Sequence, residues 1–99
     1  MEMIIQTTPT FNKWFRGLKD SNAKASVSSH VDRLMFGLYG DVKPVGGGIS
    51  ELKINVGKGY RVYFKKRNKV ITILLCGGNK KTQDKDIKLA KQLAKDLNM

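Results

Sequence analysis

Residues 51–76 read ELKINVGKGYRVYFKKRNKVITILLC, and this stretch decides the fold. The runs at 51–56 and 60–65 alternate apolar and polar residues, the mark of strands with one buried and one solvated face. Leu52, Ile54, Val56, Val62 and Phe64 share the core face, and Lys53, Asn55, Arg61, Tyr63 and Lys65 share the other. Gly57 and Gly59 around Lys58 predict a tight reversal, which makes the two runs a hairpin. Arg67-Asn68-Lys69 predicts a second turn. The almost wholly apolar run at 70–76 then becomes the most protected strand of the sheet. The solvated face carries cations and a tyrosine, so function is expected there.

Upstream, residues 3–7 predict a short first strand. Thr8-Pro9 starts a helix, with Thr8 as the N-cap and Pro9 at the first helical position. Phe11, Trp14, Phe15 and Leu18 fall on one helical stripe, which assigns the rings to core packing before any stacking role. Asp20-Ser21-Asn22 breaks that helix and caps a second. In the second helix Ala23, Val27, Val31, Leu34 and Leu38 recur with helical period as far as Gly40. The two helices form a hairpin across the apolar face of the sheet. His30, the single histidine, stands beside that stripe without an acidic or nucleophilic partner at helical spacing, so a solvent-edge or packing role is expected. Residues 41–50, DVKPVGGGIS, read as a flexible lead-in to the sheet or a flap beside a ligand. Residues 77–83 leave the sheet edge, and Asn79 or Thr82 caps a final helix. Ile87, Ala90, Leu93, Ala94 and Leu97 supply its apolar stripe, and Lys85, Lys88, Lys91 and Lys95 its solvated side. The order is β-α-α-β-β-β-α in one domain, an α+β fold with a small, mainly antiparallel sheet.

The 99 residues carry a net charge of +11, unevenly spread. Residues 1–42 hold five Lys and Arg against four Asp and Glu; residues 43–99 hold fourteen against four. The basic excess belongs to the sheet and the last helix, and it points to a polyanion partner. The start, MEMIIQ, is acidic with a short apolar run, unlike a signal peptide. No run approaches membrane-spanning length. One cysteine, Cys76, gives no internal disulfide, suits the reducing cytoplasm and reads as a small buried hydrophobe. One His and one Cys make a catalytic zinc site unexpected, and no cofactor is expected.

ELK at 51–53, GYRVYF at 59–64 and LLCGGNKKTQDKDI at 74–87, in this element order, resemble the RelE/ParE superfamily of bacterial type II toxins. The nearest resemblance is to the HigB-like, phage Gp49-like addiction module killer proteins, and it runs from FNKWF at 11–15 through the last helix. It implies a RelE-like fold and a ribosome-dependent mRNA endonuclease that inhibits translation. In such toxins the RNA's own 2′-hydroxyl attacks the adjacent phosphate, without a metal or a protein nucleophile. The resemblance places Arg61 on the scissile phosphate, where a guanidinium fork holds two oxygens. It gives Lys53 charge stabilisation or proton transfer, and it gives Lys80 and Lys81 a grip on the RNA backbone or the leaving oxygen. Gln83 would orient a base or phosphate, and Tyr63 would stack or donate a proton. Lys43, Lys58 and Lys65 join them as candidate RNA contacts. Glu51 reads equally as a salt-bridge partner and as a base. Unlike RelE proper, the chain has no tyrosine after Tyr63. The implied partners are a cognate antitoxin, helix-turn-helix and HigA-like, mRNA on the ribosome, and operator DNA only through the antitoxin complex. Two alternatives stand beside this reading: a ParE-like gyrase inhibitor, and a non-catalytic nucleic-acid-binding relic.

Overall fold

The computed structural model describes residues 3–99; Met1 and Glu2, part of the acidic start, lie outside the described residues. The chain runs β1 (Ile4–Thr7), α1 (Pro9–Arg16), α2 (Ser21–Leu34), β2 (Val42–Gly46), β3 (Ile49–Ile54), β4 (Tyr60–Lys66), β5 (Ile71–Asn79), a 3-10 turn (Lys80–Thr82) and α3 (Gln83–Asp96). The sheet order is β1-β5-β4-β3-β2. β1 runs parallel to β5, and the other neighbours are antiparallel. This is the expected α+β architecture with one more strand.

The local signals act as read. The Thr8 hydroxyl accepts from Phe11 N and Pro9 opens α1, and Asp20 Oδ1 accepts from Asn22 N and Ala23 N to cap α2. Gly57 and Gly59 turn the β3–β4 hairpin at φ of 52° and 75°, a region open to glycine at little cost. Asn68 Oδ1 accepts from Val70 N and Ile71 N, closing the β4–β5 turn. The helical hairpin covers one face: Phe11, Ala23, Val27 and Leu34 pack with Leu52, Ile54, Val62, Phe64 and Leu74.

Four expectations are corrected. The segment at 41–50 is not a loop but the β2–β3 hairpin, turned through Gly46, Gly47 and Gly48, all at positive φ. Pro44 is tolerated because β2 is an edge strand with an irregular register between Pro44 and Gly46. Second, α2 stops at Leu34, and Leu38 lies beyond it, exposed. Third, residues 77–79 do not leave the sheet; they complete β5. Fourth, the second face of the sheet is not solvated. α3 lies on it, and Ala90 and Ala94 join Ile49, Tyr63, Ile73, Leu75 and Cys76 in a second core.

Gly77 and Gly78 let both layers close on β5. A Cβ at Gly77 would stand 2.4 Å from the Trp14 ring of α1, and one at Gly78 would stand 1.7 Å from Asp86 Oδ2 of α3. Trp14 and Asp86 therefore occupy the two sides of one glycine pair. Gly78→Ala should lower unfolding stability by about 1–3 kcal/mol through overpacking against Asp86, read as a reduced midpoint in urea denaturation.

Candidate functional site

The β3–β4 register sets Lys53 opposite Arg61 and Glu51 opposite Tyr63 on the face that α3 covers. Directly opposed residues hold their Cβ atoms about 5 Å apart, so these four side chains form one block. Glu51 is its centre. Its Oε2 accepts from Tyr63 Oη at 2.9 Å and from Gln83 Nε2 at 2.8 Å. Its Oε1 lies 3.8 Å from both Arg61 Nε and Lys43 Nζ. Glu51, Arg61 and Tyr63 are all buried, at 2%, 4% and 0% exposure. Arg61 Nη1 donates to Gly59 O at 2.7 Å, whereas the buried Nε has no hydrogen-bond partner. That Nε faces Glu51 Oε1 at 3.8 Å, an ion pair beyond hydrogen-bond length.

Around this centre the predicted residues separate. Lys43, Lys53 and Gln83 join Arg61, and Lys80 comes close, because its Cβ and Arg61 Nη1 both flank Gly59. Lys81 is exposed in the 3-10 turn, where its backbone N–H donates to Asn79 Oδ1. Lys58 is exposed at the tip of the β3–β4 turn. Lys65 is four residues along β4 from Arg61, roughly 13 Å at strand rise, and lies beside Gly48 and α3's Lys91 instead. Tyr63 is also corrected. It is no open-face stacking platform, because it is fully buried with its hydroxyl turned to Glu51. Burial, then the hydrogen bond to Glu51, holds its phenol well above the ordinary tyrosine range, so it keeps its proton and acts as a fixed donor. His30 bonds Ser26 O within α2, at the solvent edge. Among the described residues, no three of His, Cys, Asp and Glu are grouped to hold a metal ion.

A protein of Haemophilus influenzae, named only as an uncharacterized protein, is 54% identical over 99 residues, all of this chain and all of that one. The chain belongs to its family. No family model matches the sequence. The fold is RelE-like: a mutant of the Escherichia coli toxin RelE, solved in the free state, superposes with a TM-score of 0.74 at 15% identity, covering 93% of this chain and 96% of that one.

In this member of the family, Asp86 is the residue that sequence reading passed over. It is 7% exposed and accepts from the Thr82 hydroxyl. Its position four residues before Ala90 on the buried stripe of α3 was the available signal. Glu51 emerges as the ion-pair partner of its two readings, bound to several neighbours at once.

Two outcomes follow from the burial. Glu51→Ala strands Arg61, Tyr63 and Gln83 without their acceptor and should cost about 3–5 kcal/mol; Glu51→Gln should cost less, measured by chemical denaturation. Cys76, 1% exposed, has its thiol pushed up to about 12 from an ordinary 9.0, chiefly by burial. The unfolded chain therefore holds fewer protons than the folded one above pH 9, and stability should fall as pH rises toward 12. Tyr63 adds to the same fall above its ordinary value of 10.0. Denaturation midpoints across pH 7–11, with a Cys76→Ala control that flattens part of the slope, check the sign.

Proposed function

We propose that this chain is the toxin of a type II toxin–antitoxin system, a HigB-like, ribosome-dependent mRNA endonuclease of the cytoplasm. The observation that carries the reading is the Arg61 guanidinium, held by Glu51 and the Gly59 carbonyl opposite Lys53 on a RelE-like fold. A guanidinium whose stem is fixed in this way is preorganised to hold phosphate oxygens in a fork. The strongly basic half of the chain, residues 43–99, supports an RNA substrate.

The chemistry asked of the protein is modest. The 2′-hydroxyl of the RNA attacks the adjacent phosphorus and the 5′-oxygen of the next nucleotide leaves. Arg61 holds the non-bridging oxygens, where charge builds in the pentavalent transition state. Glu51 fixes the guanidinium from one side, and the Gly59 carbonyl fixes it from the other. Lys53 neutralises charge opposite Arg61, and Lys80 stabilises the leaving oxygen from beyond Gly59. Gln83 is committed to Glu51 and acts as a positioning residue, as does Tyr63. Lys43, Lys58 and Lys81 steer the RNA backbone. Lys65 contributes only to the general positive field. The partner that silences the site is a helix-turn-helix, HigA-like antitoxin, which covers the basic face or displaces α3. Operator DNA is reached only through that complex.

Expression without antitoxin of wild type, Arg61→Ala and Lys53→Ala, with primer extension on cellular mRNA, tests this. Wild type should cut within translated frames. Arg61→Ala should lose about 10²–10³ in rate, the scale for removing one preorganised charge-stabilising donor. Growth arrest with intact mRNA would overturn the nuclease and put gyrase inhibition first. A folded protein giving neither would point to a binding relic.

A further inference from the structure

Arg61, Glu51 and Gln83 do not line the cleft of about 1070 Å3 that opens between α1 and the β3–β4 turn. That volume lies at the upper end of the roughly 300–1,000 Å3 range of ligand clefts. Its walls carry Lys13, Trp14, Lys19, Lys58, Tyr60 and Asn79. The three lysines are exposed. Against these three cations the wall carries one acid, Asp20, whose Oδ1 caps α2, so the cleft is net positive by count of charges. Trp14 rests over Gly77 and is half-buried, leaving the remainder of its indole to the cleft. β1 ends at Thr7, opposite Leu74, so beyond that point β5 is paired by β4 alone and its other edge carries no strand beside the cleft. Aromatic faces among spaced cations match single-stranded nucleic acid, whose bases stack and whose phosphates alternate with them.

The cleft also adjoins the candidate catalytic face. Lys58 and Gly59 form the ridge between the two, with Arg61 Nη1 and the Lys80 Cβ against Gly59 on the far side. Asn79, on the cleft wall, is followed directly by Lys80. We propose that this cleft is a subsite for single-stranded RNA, holding the nucleotides next to the scissile phosphate by stacking on Trp14 and by phosphate contacts to Lys13, Lys19 and Lys58. The identity of the strand rests on the nuclease reading; the nucleic-acid chemistry of the cleft does not.

Trp14 is the only tryptophan, so its fluorescence reports the site directly. The purified chain is titrated with a 2′-O-methyl decanucleotide, which has no free 2′-hydroxyl and is not cleaved. The expected result is saturable quenching, with a log–log salt slope near −2 for three phosphate contacts at about 0.7 each. Lys13→Glu and Lys58→Glu should each weaken binding roughly tenfold and flatten the slope by at least about 0.7. Wild type that quenches with RNA but leaves cellular mRNA intact would strike the nuclease reading alone, because the quench reports the cleft whether or not the strand is cut. No quenching at low salt overturns the proposal, as does quenching indifferent to both lysine variants. Quenching by an Asp- and Glu-rich peptide but not by RNA would also overturn it and give the cleft to a protein partner.

Discussion

Two absent side chains hold this molecule together. At Gly77 and Gly78 the interior strand β5 offers bare backbone to both sides, and Trp14 and Asp86 press in from opposite layers. The Thr8 hydroxyl, which caps α1, also donates to Leu75 O in β5, so the helix start and the strand are fixed to each other. Because α3 can lie flat on its face, Gln83 reaches Glu51, and because Gln83 reaches Glu51, the carboxylate has a neutral donor on the side away from the cations. The candidate site therefore depends on glycines that take no part in its chemistry.

The Glu51–Arg61 contact is better understood as positioning than as stabilisation. At 3.8 Å and without a hydrogen bond on Nε, the pair recovers little of the cost of burying two charges. An apolar pair of similar volume would serve the core as well or better. What the arrangement provides is a guanidinium whose stem is locked, with Nη1 tied to Gly59 and Nε held beside Glu51. A fixed dipole that need not reorganise when charge develops is the feature that electrostatic catalysis rewards.

Much of this was legible in the residues, and the failures have identifiable causes. Alternation over 51–65, with the glycines between, gave the hairpin and put Lys53 and Arg61 on one face; the register that sets them opposite each other is seen in the structure. Thr8, Pro9 and Asp20 marked the helix starts. β2 was hidden because Pro44 and Gly46–Gly48 are turn residues in isolation, and only pairing with β3 makes them an edge strand. The covered second face was missed because alternation reports which residues share a face, not what lies on it; Ala90 and Ala94 were the hint that a helix packs closely. Lys65 shared a face with Arg61 but not a neighbourhood, because strand rise separates residues that periodicity groups. The hub role of Glu51 needed partners from β2, β4 and α3 at once, and no local pattern encodes such convergence.

The parallel pairing of β1 with β5 also governs the order of assembly. Ile4 sits beside Ile71, and Thr8 reaches across 67 positions to Leu75. Contacts of such long sequence separation form late, since the chain between must be ordered before they are rewarded. As the chain leaves the ribosome, β1 and α1 emerge first but have no sheet to join until β5 has followed. The helical hairpin can form locally meanwhile, with Phe11 and Phe15 stacked, but the second core and the Glu51 cluster wait for α3, which follows all five strands. A chain stalled before residue 83 would thus lack the Gln83 donor to Glu51 and the helix that covers the second face.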